Sequence, residues 1–159
     1  MSLAKPAFVL LGTESTGKTT LAQTLGERFG MRVVPEFVRT WVERHNKRPG
    51  PEDFEAIARG QQQAMAKAFT GGDQIPGVVF DTCLLTNLAY GRHLFQLDPA
   101  WLKEAIPHQQ VQQYFLLTGD VPWQPDPQRE FAQENDRQAF ADLLEGLLSE
   151  FQLPYTKVG

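Results

Sequence analysis

The segment GTESTGKTTL, residues 12–21, stands directly behind the apolar run AFVLL at residues 7–11. It satisfies the spacing Gly-x-x-x-x-Gly-Lys-[Ser/Thr] at Gly12, Gly17, Lys18 and Thr19. Glycines at those places let a loop close tightly round an anion with successive backbone N–H groups pointing inward, and a helix opening near Gly17 adds its positive end. Lys18 is placed to reach the β and γ phosphates of a nucleoside triphosphate, and the Thr19 hydroxyl to ligate Mg2+. The spacing therefore predicts a triphosphate cradle between a strand and a helix.

The pattern on either side agrees. Ala7 to Leu11 is a continuous apolar run of strand length, as expected of a strand covered on both faces. Leu21, Leu25 and Phe29 recur at helical spacing until Gly30 stops the helix. RVVP (32–35) reads as a second strand, and EFVRTWVERHNKR (36–48) as a helix with Phe37, Trp41 and Val42 on one face. PGPEDF (49–54) breaks the chain and starts a helix running to about Ala68. VVFD (78–81) is a third strand, TCLLTNLAYGRHLF (82–95) a helix with Leu84, Leu85 and Leu88 inward, and DPAWLKEAIP (98–107) a short helix. YFLL (114–117) is a fourth strand. A proline-rich loop follows, then an amphipathic helix from about Gln133 with Phe140, Leu143, Leu144, Leu147 and Leu148 on its apolar side, and a fifth strand at PYTKV (154–158). Strands alternating with helices predict an α/β fold with an open parallel sheet wrapped by helices. Ligands of such sheets lie off the carboxyl ends of the strands, so the loops after Leu11, Pro35, Phe80 and Leu117 share one crevice.

Bulk properties narrow the function. At 159 residues the sequence predicts one domain, and 42% hydrophobic with 21% charged residues disfavours disorder. A formal net charge of -4 argues against sequence-independent binding of nucleic acid, which needs a basic surface. One cysteine, Cys83, is read as a buried small hydrophobe and gives no sign of an oxidising compartment. With no signal peptide and no apolar stretch of membrane-spanning length, the reading is a cytoplasmic protein without membrane contact. The oligomeric state is not legible.

Two acids sit at the crevice. Glu36 follows the second strand and Asp81 closes the third. Phosphoryl transfer to an alcohol needs a group that takes or orients the hydroxyl proton opposite the γ-phosphate, and a carboxylate that helps hold Mg2+. Asp81 is the candidate for the metal, the alternative being a solvated strand-end acid or helix cap. Glu36 is read either as that base or as a helix N-terminal acid favoured by the dipole. Arg39 lies one turn after Glu36, where the two can form a surface ion pair. The segment at about 120–137 carries Arg129 and Arg137, either as arginines of a lid that closes over the transferred group or as surface residues of a solvated loop. Trp123 packs that loop down or stacks on a flat ligand.

GTESTGKTTL, VVPEFVRTW, GQQQ, FDTCLLTNLAYG and DVPWQPDPQRE with a later DRQAF together resemble the ribosylnicotinamide kinase domain of NadR-type proteins, from about Phe8 over nearly the whole sequence. VVPEFVRTW is also similar to a segment of deoxynucleoside kinases in which the glutamate is the general base for a 5′-hydroxyl. The resemblance implies a three-layer αβα P-loop NTPase of nucleoside and nucleotide kinase type with a five-stranded parallel sheet. It implies an ATP-dependent kinase acting on a small-molecule nucleoside, nicotinamide riboside first. Gly12, Glu14, Ser15, Thr16, Gly17, Lys18, Thr19 and Thr20 would hold ATP, with Thr19 and Asp81 near Mg2+. Glu36 would take the ribose 5′-hydroxyl proton, Arg39, Gln61 and Asp81 are candidates for holding the ribose, and Arg129 and Arg137 would be lid arginines. The ring that flanks the base is one of Phe37, Trp41, Tyr90 and Trp123.

The sequence departs from the family in three ways. It carries no fused adenylyltransferase domain. Its lid has Asp126, Pro127, Gln128 and Arg129 where the family has Asp-Gly-x-Arg. The family continues past the fifth strand with a loop that helps hold adenine and a last helix, and this sequence stops at Gly159, so adenine is held differently or the chain is a shortened one. The other readings are a kinase for a different nucleoside and a non-catalytic ATP-binding switch with a protein partner, which would not need Glu36.

Overall fold

In the computed structural model, which describes residues 5–13, 17–70, 75–118 and 134–159, five parallel strands form one sheet in the order β2-β3-β1-β4-β5. The strands are β1 (Ala7–Leu11), β2 (Arg32–Val34), β3 (Val78–Asp81), β4 (Gln113–Leu117) and β5 (Tyr155–Val158). The helices are α1 (Lys18–Phe29), α2 (Phe37–His45), α3 (Phe54–Lys67), α4 (Leu84–Tyr90), α5 (Ala100–Ala105) and α6 (Glu134–Glu150). All five predicted strands and the helices between them are present.

Two-residue periodicity in the central strands separates two cores. Val9 and Leu11 of β1, Val78 and Phe80 of β3, and Tyr114 and Leu116 of β4 pack with residues of α3, α4, α5 and α6. Their alternates Leu10, Val79, Phe115 and Leu117 turn to the opposite face, against Leu21, Ala22 and Leu25 of α1. Both faces of the sheet are therefore covered, which is why these strands read as unbroken apolar runs. The result is a three-layer α/β sandwich.

β1 is flanked by β3 on one side and β4 on the other, and it pairs Leu10 with Asp81 in register. Connections diverge at this point of the sheet, and a crevice opens beyond the carboxyl ends of β1 and β3. The loop after β1 and the acid at the end of β3 are thereby fixed side by side.

Several boundaries differ from the sequence pattern. α2 stops at His45 because Asn46 takes a left-handed conformation, φ 50°, and its N–H closes on the Val42 carbonyl. The predicted helix over 82–95 begins only at Leu84, and its last five residues, Gly91–Phe95, widen into a π turn. Phe29, expected on the apolar side of α1, is 60% exposed, and Ala22 is buried instead. Cys83 is fully buried, as its type suggested.

Candidate active site

The phosphate loop is shaped by its glycines. Gly12 has φ 151° and Gly17 φ 87°, conformations that a Cβ disfavours. Gly17 is the N-cap of α1 and supplies no side-chain cap, and the first turn of α1 holds no acid. The amides at this helix start and its positive dipole end are thus left for an external anion. Lys18 Nζ donates to the Gly12 carbonyl at 2.8 Å, so the ammonium spans the loop from its far end to its near end. Thr20 is exposed, and its carbonyl accepts from the Thr24 hydroxyl at 2.9 Å. Glu14, Ser15 and Thr16 lie outside the described residues.

Thr19 Oγ1 donates to Asp81 Oδ2 at 3.0 Å, joining the helix that follows β1 to the end of β3. Asp81 is 4% exposed, and its Oδ1 is buried with no hydrogen-bond partner among the described residues. A hydroxyl and a carboxylate with a spare oxygen, beside a loop built for phosphate, suit Mg2+: the ion prefers oxygen ligands, and takes one or two from the protein and the rest from water and phosphate. The described residues contain no cluster of three or more His, Cys, Asp or Glu side chains for a protein-only metal cage.

Backbone strain marks the same corner. Thr82, next to Asp81, has φ 73°, an unfavourable region for a β-branched residue, and its N–H donates to the Leu10 carbonyl at 3.1 Å. Strain of this kind persists where surrounding structure imposes it. No pattern in the sequence signals it.

Glu36 is the N-cap of α2, yet its side chain makes no cap hydrogen bond. Its place at the start of α2 still favours an acid there through the helix dipole, but no cap hydrogen bond occupies its oxygens. It pairs with Arg39 Nε at 3.7 Å; Glu36 is 13% exposed and Arg39 is 53% exposed. Burial pushes the Glu36 carboxyl above its ordinary range; Lys18 opposes this, the charge of Asp81 adds to it, and Arg39 opposes it in turn. These influences put Glu36 within electrostatic reach of Lys18 and Asp81.

Gln61, 2% exposed on α3, accepts from Phe37 N–H through Oε1 at 3.0 Å and so fixes the start of α2. Its neighbour Gly60 makes this possible: a Cβ there would stand 2.1 Å from Phe37 Cε1. Gly60 is a packing position beside Gln61 that sequence reasoning missed, and an isolated glycine inside a helical pattern was the available signal. Of the candidate rings, Phe37 packs on Gly60, Trp41 is buried and stacks on His45 at 4.1 Å, and Tyr90 lies against Phe140 at 4.6 Å. Trp123 lies outside the described residues, as do Asp126, Pro127, Gln128 and Arg129. Arg137 belongs to α6, the helix expected from about Gln133, where the lid segment of about 120–137 ends, and is 6% exposed. No helix among the described residues is long and apolar enough to cross a membrane.

Comparison with known proteins agrees with this fold. The trifunctional NAD biosynthesis/regulator protein NadR of Salmonella typhimurium is 28% identical over 97% of this chain, which spans only 39% of that protein. A crystal structure of NadR protein in complex with NR superposes with TM-score 0.81 at 21% identity, over 97% of this chain and 45% of the other; one in complex with NAD and AMP-PNP gives 0.78 at 20%, over 98% and 45%. Thymidylate kinase from Ehrlichia chaffeensis gives 0.66 at 13% identity, over 98% of this chain and 87% of the other. These superpositions show a P-loop fold of nucleoside and nucleotide kinase type. A family described as AAA domain matches residues 7–159, and the chain belongs to that P-loop family.

Proposed function

We propose that this chain is a single-domain, cytoplasmic, ATP-dependent kinase for the 5′-hydroxyl of a nucleoside, with nicotinamide riboside as the acceptor and nicotinamide mononucleotide as the product. The observation that carries the proposal is Glu36, largely buried, uncommitted as a helix cap, and under the electrostatic influence of both Lys18 and Asp81. A module that only binds ATP has no need of a basic carboxylate there.

Gly12, Glu14, Ser15, Thr16, Gly17, Lys18, Thr19 and Thr20 hold the triphosphate of ATP, and Lys18 neutralises its β and γ oxygens. Thr19 and Asp81 would hold Mg2+, which when bound neutralises charge on the β and γ phosphates. Arg39, Gln61 and Asp81 orient the ribose. The Glu36 carboxylate accepts the proton of the 5′-hydroxyl as that oxygen bonds to the γ-phosphorus and the bond to the bridging oxygen of ADP breaks. Arg129, from the lid segment, and Arg137, from the start of α6, stabilise the charge of the transferred group. The two acids, Glu36 and Asp81, also favour a cationic pyridinium nucleoside over a neutral one.

The test is ADP release with Mg-ATP alone and after adding nicotinamide riboside, uridine, deoxycytidine or thymidine. Stimulation by nicotinamide riboside is expected. Stimulation by another nucleoside alone reassigns the acceptor, and unchanged slow turnover with all of them refutes the kinase.

A further inference from the structure

The turn from β3 into α4 follows directly on Asp81, and it is held from outside itself. Thr82 stands in it at φ 73°, and Cys83, the N-cap of α4, is extended and gives no side-chain cap. At the inner end the Thr82 N–H donates to the Leu10 carbonyl of β1 at 3.1 Å. At the outer end the Leu84 N–H, the first of α4, donates to Gln109 Oε1 at 3.0 Å, on a side chain 25 residues further along the chain. A helix start leaves such N–H groups without intrahelical partners, so this amide takes the place of the missing cap.

Gln109 is fixed in its turn. Its Nε2 donates to the Ile106 carbonyl at 3.1 Å and to the Tyr114 hydroxyl at 3.2 Å, so the amide uses its oxygen and both its N–H groups. Tyr114 is 1% exposed in β4, and its partner across the sheet is Val9 of β1, the strand that leads into the phosphate loop. Only Thr82 and Cys83 lie between the two pinned N–H groups. A left-handed β-branched residue persists only while its surroundings impose it, so Thr82 relaxes once either pin lets go. Asp81 is the residue before it, and its Oδ2 accepts from Thr19 Oγ1 at 3.0 Å. Rotation of the backbone that relaxes Thr82 turns the end of β3 and carries that carboxylate away from Thr19.

We infer that Gln109 is a positioning residue for Asp81: through the Leu84 N–H it holds the turn in the strained form that keeps the carboxylate beside Thr19. This rests on the metal role proposed for Thr19 and Asp81, and it adds a residue far from both in sequence. Partners that orient metal ligands without touching the ion are typically worth about 10- to 100-fold in metal affinity.

The experiment reads Mg2+ at the site by calorimetry. AMP-PNP is titrated into the chain in EDTA and again over a series of Mg2+ concentrations, in the wild type, Gln109→Met, Gln109→Asn, Gln109→Glu and Tyr114→Phe. The Mg2+ concentration that half-saturates nicotinamide riboside-dependent ADP release is measured alongside. Gln109→Met removes the acceptor in a side chain of similar length; it is expected to raise the Mg2+ requirement about tenfold in both assays, with AMP-PNP affinity in EDTA unchanged. Gln109→Asn, one methylene shorter, draws the acceptor back and shares the loss, so it decides the question if the methionine variant fails to fold. Gln109→Glu keeps an oxygen for the Leu84 N–H and restores most of the Mg2+ response. Tyr114→Phe removes a buried hydrogen bond but leaves that oxygen in place, so it lowers Tm and not the response to Mg2+. A Mg2+ requirement equal in wild type, Gln109→Met and Gln109→Asn overturns the assignment. So does a loss of the same size in EDTA and in Mg2+, or one as large in Tyr114→Phe as in Gln109→Met, since either is general damage to the fold. A calorimetric shift without riboside-stimulated ADP release refutes the kinase and upholds Gln109 in its role. AMP-PNP binding that is absent from the wild type, or indifferent to Mg2+, overturns this inference together with the metal role of Asp81.

Discussion

Replacing Gly60 by alanine tests how Glu36 is positioned without touching a group that reacts. In an ordinary helix interior the change gains about 1 kcal/mol, because alanine loses less backbone entropy than glycine. Here the added methyl would lie 2.1 Å from Phe37 Cε1 and 2.3 Å from Cζ. Ordinary carbon contact begins near 3.5 Å, so the ring must retreat by about 1.4 Å. It cannot do so alone: Phe37 N–H is bonded to Gln61 Oε1 at 3.0 Å, and Gln61 is the next residue along α3. Pushing the ring away stretches that bond or tilts the first turn of α2, and Glu36 precedes Phe37 directly. Overpacking of this kind costs about 1–3 kcal/mol, which offsets or exceeds the gain in propensity. The net loss of up to about 2 kcal/mol lowers Tm by up to about 8 °C in a chain of this size. A base displaced by about 1 Å loses about 100-fold in turnover. Thermal denaturation and nicotinamide riboside-dependent ADP release read the two effects, with KM for ATP unchanged. A Gly60→Ala protein that is more stable than wild type and turns over at full rate would show that the contact of Phe37 on α3 does not hold the base.

Glu36→Gln is expected to lower turnover by about 100- to 10,000-fold while ATP binding, read by calorimetry, stays intact; retained activity would remove Glu36 as the base. The same carboxyl sets a pH dependence. Burial raises its pKa in the folded chain above the ordinary carboxyl range, so its contribution to folding is fully present below the unfolded value and is lost as pH rises through the raised folded value and a buried charge forms. Chemical denaturation of wild type against pH should show this loss and the Gln variant should not, while kcat/KM of wild type climbs over the same window as the base ionises. Equal pH profiles for the two proteins would contradict the assignment. Thr82→Gly relieves a left-handed backbone at φ 73° and is expected to leave stability within about 1 kcal/mol of wild type, whereas Thr86→Gly, inside α4, costs more. Equal losses in denaturant midpoint would dismiss strain at the end of β3.

What the sequence made legible was whatever depends on spacing. The phosphate loop follows from Gly12, Gly17, Lys18 and Thr19, and the parallel sheet from apolar runs such as VVF at 78–80, where alternate residues feed cores on opposite faces. Glu36 and Asp81 were found because each ends or follows a strand, and parallel strands end on one side. Contacts between elements distant in the chain were not legible. Nothing in GQQQ says that Gly60 receives the ring of Phe37 or that Gln61 spends its oxygen on the Phe37 amide. The apolar spacing that named Phe29 as a core residue fails because α1 covers the sheet through Leu21, Ala22 and Leu25, and its last residue runs past the edge of that contact.

The two acids make clear why position in a sheet says more than residue type. Both are carboxylates at strand ends, yet the fold gives them unlike neighbours. Asp81 faces the hydroxyl of Thr19, a donor on the helix that opens behind the phosphate loop, and keeps a second oxygen without a hydrogen-bond partner among the described residues. Such an acid suits the role of metal ligand proposed for it. Glu36 receives no cap hydrogen bond, has a long and exposed arginine as its ion-pair partner, and is pushed towards holding a proton first by burial and then by the charge of Asp81. Such an acid is a stronger base than a carboxylate in water. In the proposed kinase, burial and the charge of Asp81 would raise the proton affinity of Glu36 against the opposing pull of Lys18, and a sugar hydroxyl between the two acids would lose its proton to Glu36.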